Sequence, residues 1–177
     1  MVKSLMALLY VLVLAPAAYA EVTFAVGSSL TFEYATDGRS IEARRPLDLR
    51  AGYRFETADL YLQYSTYRVA GGTNLVFVAR DHEELLFWGR RVFVPEWKFS
   101  PYLALGIGAQ ADRVETALGA QYERKTGVPQ GLVASALGAR AILTKAIDLQ
   151  LESRMAFSSG YAPNPMFTLS GLVGFYF

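Results

Sequence analysis

The stretch Ile147-Asp148-Leu149-Gln150-Leu151-Glu152-Ser153-Arg154-Met155-Ala156-Phe157 sets Ile147, Leu149, Leu151, Met155 and Phe157 against Asp148, Gln150, Glu152 and Arg154. A strict period of two marks a β-strand, because successive side chains of an extended chain point to opposite sides. One face of this strand is bulky and apolar, and the other is charged.

The pattern recurs outward in both directions. Before it, Val133, Leu137, Ala139, Ala141 and Leu143 oppose Ala134, Ala136, Gly138 and Arg140. After Pro101, Leu103, Leu105, Ile107, Ala109 and Ala111 oppose Tyr102, Ala104, Gly106, Gly108, Gln110 and Asp112. Further back, Leu60, Leu62 and Tyr64 oppose Tyr61, Gln63, Ser65 and Tyr67, while residues 47–55 carry Asp48, Arg50 and Arg54 on one face. Residues 22–34 alternate throughout except at Ser28, and at the other end Phe167, Leu169, Val173, Phe175 and Phe177 oppose Thr168, Ser170, Leu172, Gly174 and Tyr176. Residues 84–94 are expected to hold one more strand, in which Arg90 and Arg91 cannot share a face. One of the two must face lipid, snorkel to an interface or sit at a bulge. The sum is eight strands, and no segment keeps a helical period.

The first twenty residues read differently. Lys3 precedes an apolar run over residues 5–15, and Ala18-Tyr19-Ala20 supplies a small-x-small cleavage site. The run falls short of the roughly 20 apolar residues a spanning helix needs. The expected organisation is a signal peptide over 1–20 and one β-barrel domain over 21–177, or 177 minus 20 = 157 residues. No later stretch is long and apolar enough to span as a helix, so the chain can enter a membrane only as a closed barrel.

Composition removes other readings. With 17 basic and 16 acidic residues the formal charge is +1, which gives no bulk attraction for nucleic acid. The absence of Cys excludes disulfides and thiolate chemistry, and a single His excludes a multi-His zinc site. No metal and no cofactor is implied.

Alternation alone also fits a soluble ligand barrel with its apolar face inward. Shape separates the two. Gly27, Gly52, Gly106, Gly108, Ala134, Ala136, Gly138 and Gly174 share the polar face, and bulky Phe, Leu, Ile and Tyr dominate the other. The small, polar face suits the crowded concave interior, and the large apolar face suits lipid. The connections at 56–59, 95–100 and 144–145 read as short turns, alternating with loops at 37–43, 71–82, 116–128 and 159–165. Residues 75–80 fit either the second of those loops or a hairpin rising above the membrane. Tyr53, Phe55, Phe93, Trp97, Phe99, Phe175 and Phe177 fall near the short-turn ends as an aromatic girdle. The fold class is therefore all-β: an eight-stranded antiparallel up-and-down transmembrane β-barrel with a polar, filled lumen.

With a cleavable leader, eight alternating strands and the ending Leu169-x-Gly171-x-Val173-x-Phe175-x-Phe177, the chain resembles the small OmpA/OmpX-type outer-membrane barrels of Gram-negative bacteria. The resemblance implies a location in the bacterial outer membrane within the porin-like class of envelope barrels. It also implies a monomer, partners in outer-membrane lipid and lipopolysaccharide, and Phe175 and Phe177 as the signal read by the outer-membrane assembly machinery.

Function is less legible. Asp48, Arg50, Arg54, Asp112, Arg140, Asp148, Glu152 and Arg154, with Gln63, Gln110 and Gln150, are expected to point inward as an ion-pair network that fills the lumen. The densest cluster is expected where Arg154 meets Glu152 or Asp148, with Arg140 beside them. A structural or surface-interaction role follows, the alternatives being a narrow gated pore and a catalytic carboxylate pair. Residues 156–165 also faintly resemble the segment where lipid A deacylases carry a His-x-Ser-Asn motif, with Phe157 and Gly160 in place of its His and Asn and only Ser159 matching. The sole His, His82, is expected in a solvated loop charge run, Asp81-His82-Glu83-Glu84, so that serine lacks a base. Finally, Arg39, Arg44 and Arg45, with Arg80, Arg113, Arg124 and Lys125 nearby, are expected at the outer rim, where guanidinium groups suit lipopolysaccharide phosphates.

Overall fold

The computed structural model describes residues 20–34, 41–72, 76–118, 121–159 and 165–177. The leader at 1–19 lies outside them, as do Arg39 and the rest of 35–40. Ten strands are present among the described residues: β1 (Glu21–Tyr34), β2 (Ile41–Arg44), β3 (Leu47–Arg54), β4 (Ala58–Gly72), β5 (Val76–Val92), β6 (Phe99–Leu118), β7 (Gln121–Thr126), β8 (Gln130–Ile142), β9 (Ile147–Ser158) and β10 (Pro165–Tyr176).

Ten strands make eight staves. β2 and β3 both pair with β1 and are parted at Arg45-Pro46, while β7 and β8 both pair with β6 and are parted at residues 127–129, which end in Pro129. Proline offers no amide hydrogen to a ladder, so each stave breaks there without leaving the sheet. All pairs are antiparallel, and β10 returns to β1 in register from Thr23↔Tyr176 to Phe32↔Phe167, which closes the barrel. The ends are tied by reciprocal bonds, with the Val22 and Phe177 amides each donating to the other's carbonyl at 3.1 and 3.0 Å.

The polarity is inverted relative to a soluble barrel. On β9, Leu151 is 70% exposed while its neighbour Glu152 is 4% exposed. Leu105, Ile107, Val133, Leu137 and Leu169 are likewise exposed, and Ala104, Ala134 and Ala136 are buried. An apolar surface running round every stave far exceeds the patches that soluble monomers expose, whereas lipid accepts it. The aromatic girdle stands at the short-turn end, where Tyr53, Phe93, Trp97, Phe99 and Phe177 are exposed and the Phe24 and Phe177 rings meet edge to face at 6.2 Å.

Small inward residues accommodate large ones opposite. A Cβ on Gly106 would lie 2.7 Å from the Trp88 ring, and one on Gly138 would lie 2.3 Å from Tyr102 Cζ. Trp88 stacks on Tyr61 with centroids 6.2 Å apart, so the inward face carries buried aromatic and aliphatic groups as well as charge.

Three expectations need correction. Asp59, expected in a turn, is a buried residue of β4. Much of the expected loops 71–82 and 116–128 is strand: the β4–β5 ladder continues to Gly72↔Phe77 and the β6–β7 ladder to Leu118↔Gln121. The hairpin alternative for residues 75–80 is thus the observed one, and β4 to β7 rise as a four-stranded extension above the belt. In the expected loop 37–43, residues 41–43 belong to β2.

Candidate functional site: the lumen and its outer mouth

Charges inside the barrel are joined mostly across it. Arg50 on β3 reaches Glu152 on β9 in a two-pronged pair, Nη2 to Oε1 at 2.6 Å and Nη1 to Oε2 at 3.0 Å. The Tyr102 hydroxyl donates to the same Oε2 at 3.1 Å. Arg90 on β5 donates from Nε to Asp59 Oδ2 at 2.5 Å and from Nη1 to Gln150 Oε1 at 2.7 Å. Both guanidinium groups lie over Tyr61, at 5.0 and 5.3 Å from its centroid, and Arg90 also lies 4.6 Å from that of Tyr102. Nearer the mouth, Arg154 pairs with Glu84, its Nη2 also reaching Thr168 Oγ1 at 3.3 Å. Asp48 accepts from Ser65 at 2.6 Å and from Gln63 at 3.3 Å, and Asp148 accepts from Gln150 at 2.9 Å and from the Tyr176 hydroxyl. Matching of this kind offsets the cost of taking these charges out of water.

All the expected inward residues lie on inward faces, with different partners. Arg154 does not meet Glu152 or Asp148, because Glu84 from the opposite wall takes its fork and Arg50 takes Glu152. Arg140 is fully buried, yet its three guanidinium nitrogens have no hydrogen-bond partner among the described residues. Arg54 lies over the Tyr176 ring at 4.2 Å. Asp59, Glu84 and Arg90 were missed. The signal for Arg90 was present in the parity conflict with Arg91, since β5 turns Arg90 inward and leaves Arg91 exposed, donating to Thr57 at 2.9 Å.

At the outer mouth β5 also overturns the loop reading of His82 and Glu84, which are 6% and 3% exposed and point inward. His82 Nδ1 donates to Asp112 Oδ1 at 2.8 Å, and the imidazole stacks on Tyr67 at 4.7 Å. Arg80 donates to Asp112 Oδ2 at 2.6 Å. Burial acts to raise the Asp112 carboxyl, and the hydrogen bonds from His82 and Arg80 outweigh it, holding that group well below the ordinary carboxylate range. Arg44, expected at the exposed rim, is buried and bonded to the Tyr67 hydroxyl. Arg45 is exposed, as expected.

The outward face of the extension carries a separate series. Arg68 meets Glu115 at 3.0 Å and Asp81 at 3.6 Å, and Arg124 meets Glu115 at 3.5 Å, so one line of ion pairs crosses from β4 to β7. Ser159 is exposed, and its Oγ accepts from the Gly131 amide at 2.9 Å. With His82 engaged by Asp112 and Tyr67, no Ser159–His82 hydrogen bond exists among the described residues.

No protein-family model and no curated protein matches this sequence. Solved structures do. Neisserial surface protein A aligns at 15% identity and a TM-score of 0.70, over 90% of this chain and 99% of that one. Ail of Yersinia pestis aligns at 12% identity and 0.65, over 89% and 99%. The chain has the fold of the small outer-membrane β-barrels. The N-terminal barrel domain of Pseudomonas aeruginosa OprF shares this outer-membrane barrel course at 13% identity and a TM-score of 0.51, over 90% of this chain and 100% of that domain. A second Ail structure, at 15% identity and 0.65, holds the heparin analogue sucrose octasulfate.

Proposed function

We propose that the chain is exported, loses residues 1–20, and resides as a monomer in the bacterial outer membrane, its lumen closed by side chains and its outer hairpins serving surface interaction without catalysis. The carrying observation is the contrast along β4 to β7, where a lipid-exposed belt gives way to a four-stranded extension with charges on both faces. The lumen residues Arg50, Asp59, Glu84, Arg90, Glu152 and Arg154 act as a plug, because each crosslink occupies the space that ions would traverse. Asp48, Arg54, Asp112, Arg140 and Asp148 complete its polar lining.

Phe175 and Phe177, at the end of the closing stave, serve as the signal for the assembly machinery. The likeness to Ail supports an interaction role, but the partner of Ail does not carry over by charge. In the extension Arg68, Arg80, Arg113, Arg124 and Lys125 are matched by Asp81, Glu83, Asp112, Glu115 and Glu123, so bulk attraction for a polyanion is lacking.

Outer-membrane fractionation with mobility shift on unboiled gels tests location and fold, and single-channel recording on the purified protein tests the plug. The expected result is a heat-modifiable outer-membrane band with no conductance steps. Reproducible steps overturn the plug, and recovery in the inner membrane or periplasm overturns the location.

A further inference from the structure

The short-turn end of the lumen holds a cation that the ion-pair network leaves out. Arg140 on β8 is 0% exposed, and its Nε, Nη1 and Nη2 are all without a hydrogen-bond partner among the described residues. Its cross-strand neighbours are Ser100 and Gln150. It stands two residues before the end of β8, about 7 Å along the strand from the short turn that follows. The charged groups that act on it most strongly are Arg54, Asp59, Arg90 and Asp148. These too lie close to the short-turn ends of β3, β4, β5 and β9.

The acceptors around it are engaged elsewhere. Asp148 accepts from Gln150 on Oδ1 and from Tyr176 on Oδ2, the Gln150 carbonyl accepts from Arg90 at 2.7 Å, and Asp59 Oδ2 accepts from Arg90 at 2.5 Å. Asp59 Oδ1 is left over, but it is itself unpartnered and so does not reach Arg140. The Ser100 hydroxyl is directed at the carbonyls of Val94 and Trp97. Three guanidinium groups thus stand with two carboxylates, an excess of one positive charge. Toward the outer mouth the balance reverses, since Arg154 stands with Glu84 and Asp48. A buried charge without a partner is the costliest arrangement the lumen could hold. Elsewhere the same chemistry is completed, as where Arg50 presents its fork to both oxygens of Glu152.

We propose that Arg140 and Arg54 bind one small, singly charged oxyanion, a carboxylate or acid phosphate ion, which enters from the short-turn mouth. The charge of the ion equals the local excess. Its paired oxygens match the rigid guanidinium fork as the Glu152 carboxylate matches Arg50, which favours an oxyanion over a halide. Arg54 supplies the way in. It is the last residue of β3, lies over the Tyr176 ring, and is half-buried where Arg90 and Arg140 are buried. An ion that meets Arg54 at the mouth is passed to the deeper, unpaired guanidinium. The site belongs to the side chains alone, so it is independent of the membrane that holds the barrel and of whether the lumen conducts.

Equilibrium dialysis of radiolabelled formate against the full detergent-purified protein tests it, with ionic strength held at about 0.15 M by the bulky gluconate ion. Wild type is expected to take up one equivalent per chain, displaced by inorganic phosphate and less readily by chloride. Arg140→Met is expected to bind at least about tenfold more weakly, the cost of losing a charged hydrogen-bond partner. Arg54→Gln is expected to lose less, and Arg91→Gln, at an exposed guanidinium of the same end, to lose nothing. The urea midpoint of the heat-modifiable band should rise with formate in wild type and stay level in Arg140→Met, since a ligand of the folded state stabilises it. Equal uptake by wild type and Arg140→Met means an adventitious ion only and overturns the proposal. No saturable uptake by wild type also overturns it, in favour of Asp59 as the partner of Arg140. Should Arg140→Met fail to fold, equal binding by Arg54→Gln and Arg91→Gln overturns it instead. Conductance steps would overturn the plug and leave this comparison standing.

Discussion

Two sets of ion pairs both join a cationic side chain to a carboxylate and differ in what surrounds them. The side chains of Arg50 and Glu152 in the lumen are 4% and 0% exposed, whereas those of Lys125 and Glu123 on β7 are 76% and 64% exposed. Inside, Arg50 and Glu152 have left water, and each depends on a partner held by a distant stave. On the extension, water already solvates both members and salt screens them. The comparison separates charges that hold the barrel closed from charges that keep its outer edge soluble.

The largest expected effect comes from breaking an inner pair on one side. Glu152→Ala leaves Arg50 and the Tyr102 hydroxyl facing a void, and removing one partner of a buried pair costs about 3–5 kcal/mol. Urea titration of the heat-modifiable band should show the midpoint fall accordingly. Gly106→Leu should cost about 1–3 kcal/mol by overpacking against Trp88, read in the same titration together with a change in tryptophan fluorescence.

A pH scan addresses the boundary between the two regions. The Asp112 carboxyl is lowered in the folded protein, so its contribution to the extension is present above the unfolded carboxylate value, near pH 4, and is lost as pH falls through the folded value. Amide protection factors in β5 and β6 at residues 80–82 and 112–114, with exchange rates corrected for their intrinsic dependence on pH, should fall in acid, and Asp112→Asn should flatten that dependence. Val94, in the turn after β5, holds φ at 49°, a conformation that is strained for a β-branched residue. Val94→Gly should stabilise by up to about 1 kcal/mol once glycine's extra unfolded freedom is counted. Smallest of all, Lys125→Ala should change the urea midpoint by no more than about 0.5 kcal/mol. A larger loss there would erase the distinction between the two sets.

The barrel was legible because parity is a local property. Residues 147–157 assign a face to every side chain without knowledge of a neighbour, and the glycines and alanines on the charged face tell which side is concave. Pairing was not legible, because partners across the lumen are set by barrel diameter and stagger. Glu152 finds Arg50 over a hundred residues away in sequence, while Arg154, two residues on, finds Glu84. The stretch 81–84 misled for a related reason: four polar residues in a row look solvated, yet alternation sends His82 and Glu84 inward and leaves Asp81 and Glu83 outside. Asp59 was lost to its position one residue after a turn. The rise of β4 to β7 above the belt was half visible in residues 75–80, whose alternation is weak because both of their faces meet water.

The seam between β1 and β10 has a consequence in time. It joins residues such as Phe24 and Phe175, on the first and last strands of the described barrel, so during folding β1 carries an unmatched edge until β10 is in place. Every preceding stave can zip onto its forerunner, but the open sheet has two raw borders and no inside. The last stave to emerge is therefore the one that converts a curved, adhesive sheet into a container with an interior, and any delay at that step extends the interval in which the protein is most exposed to wrong partners.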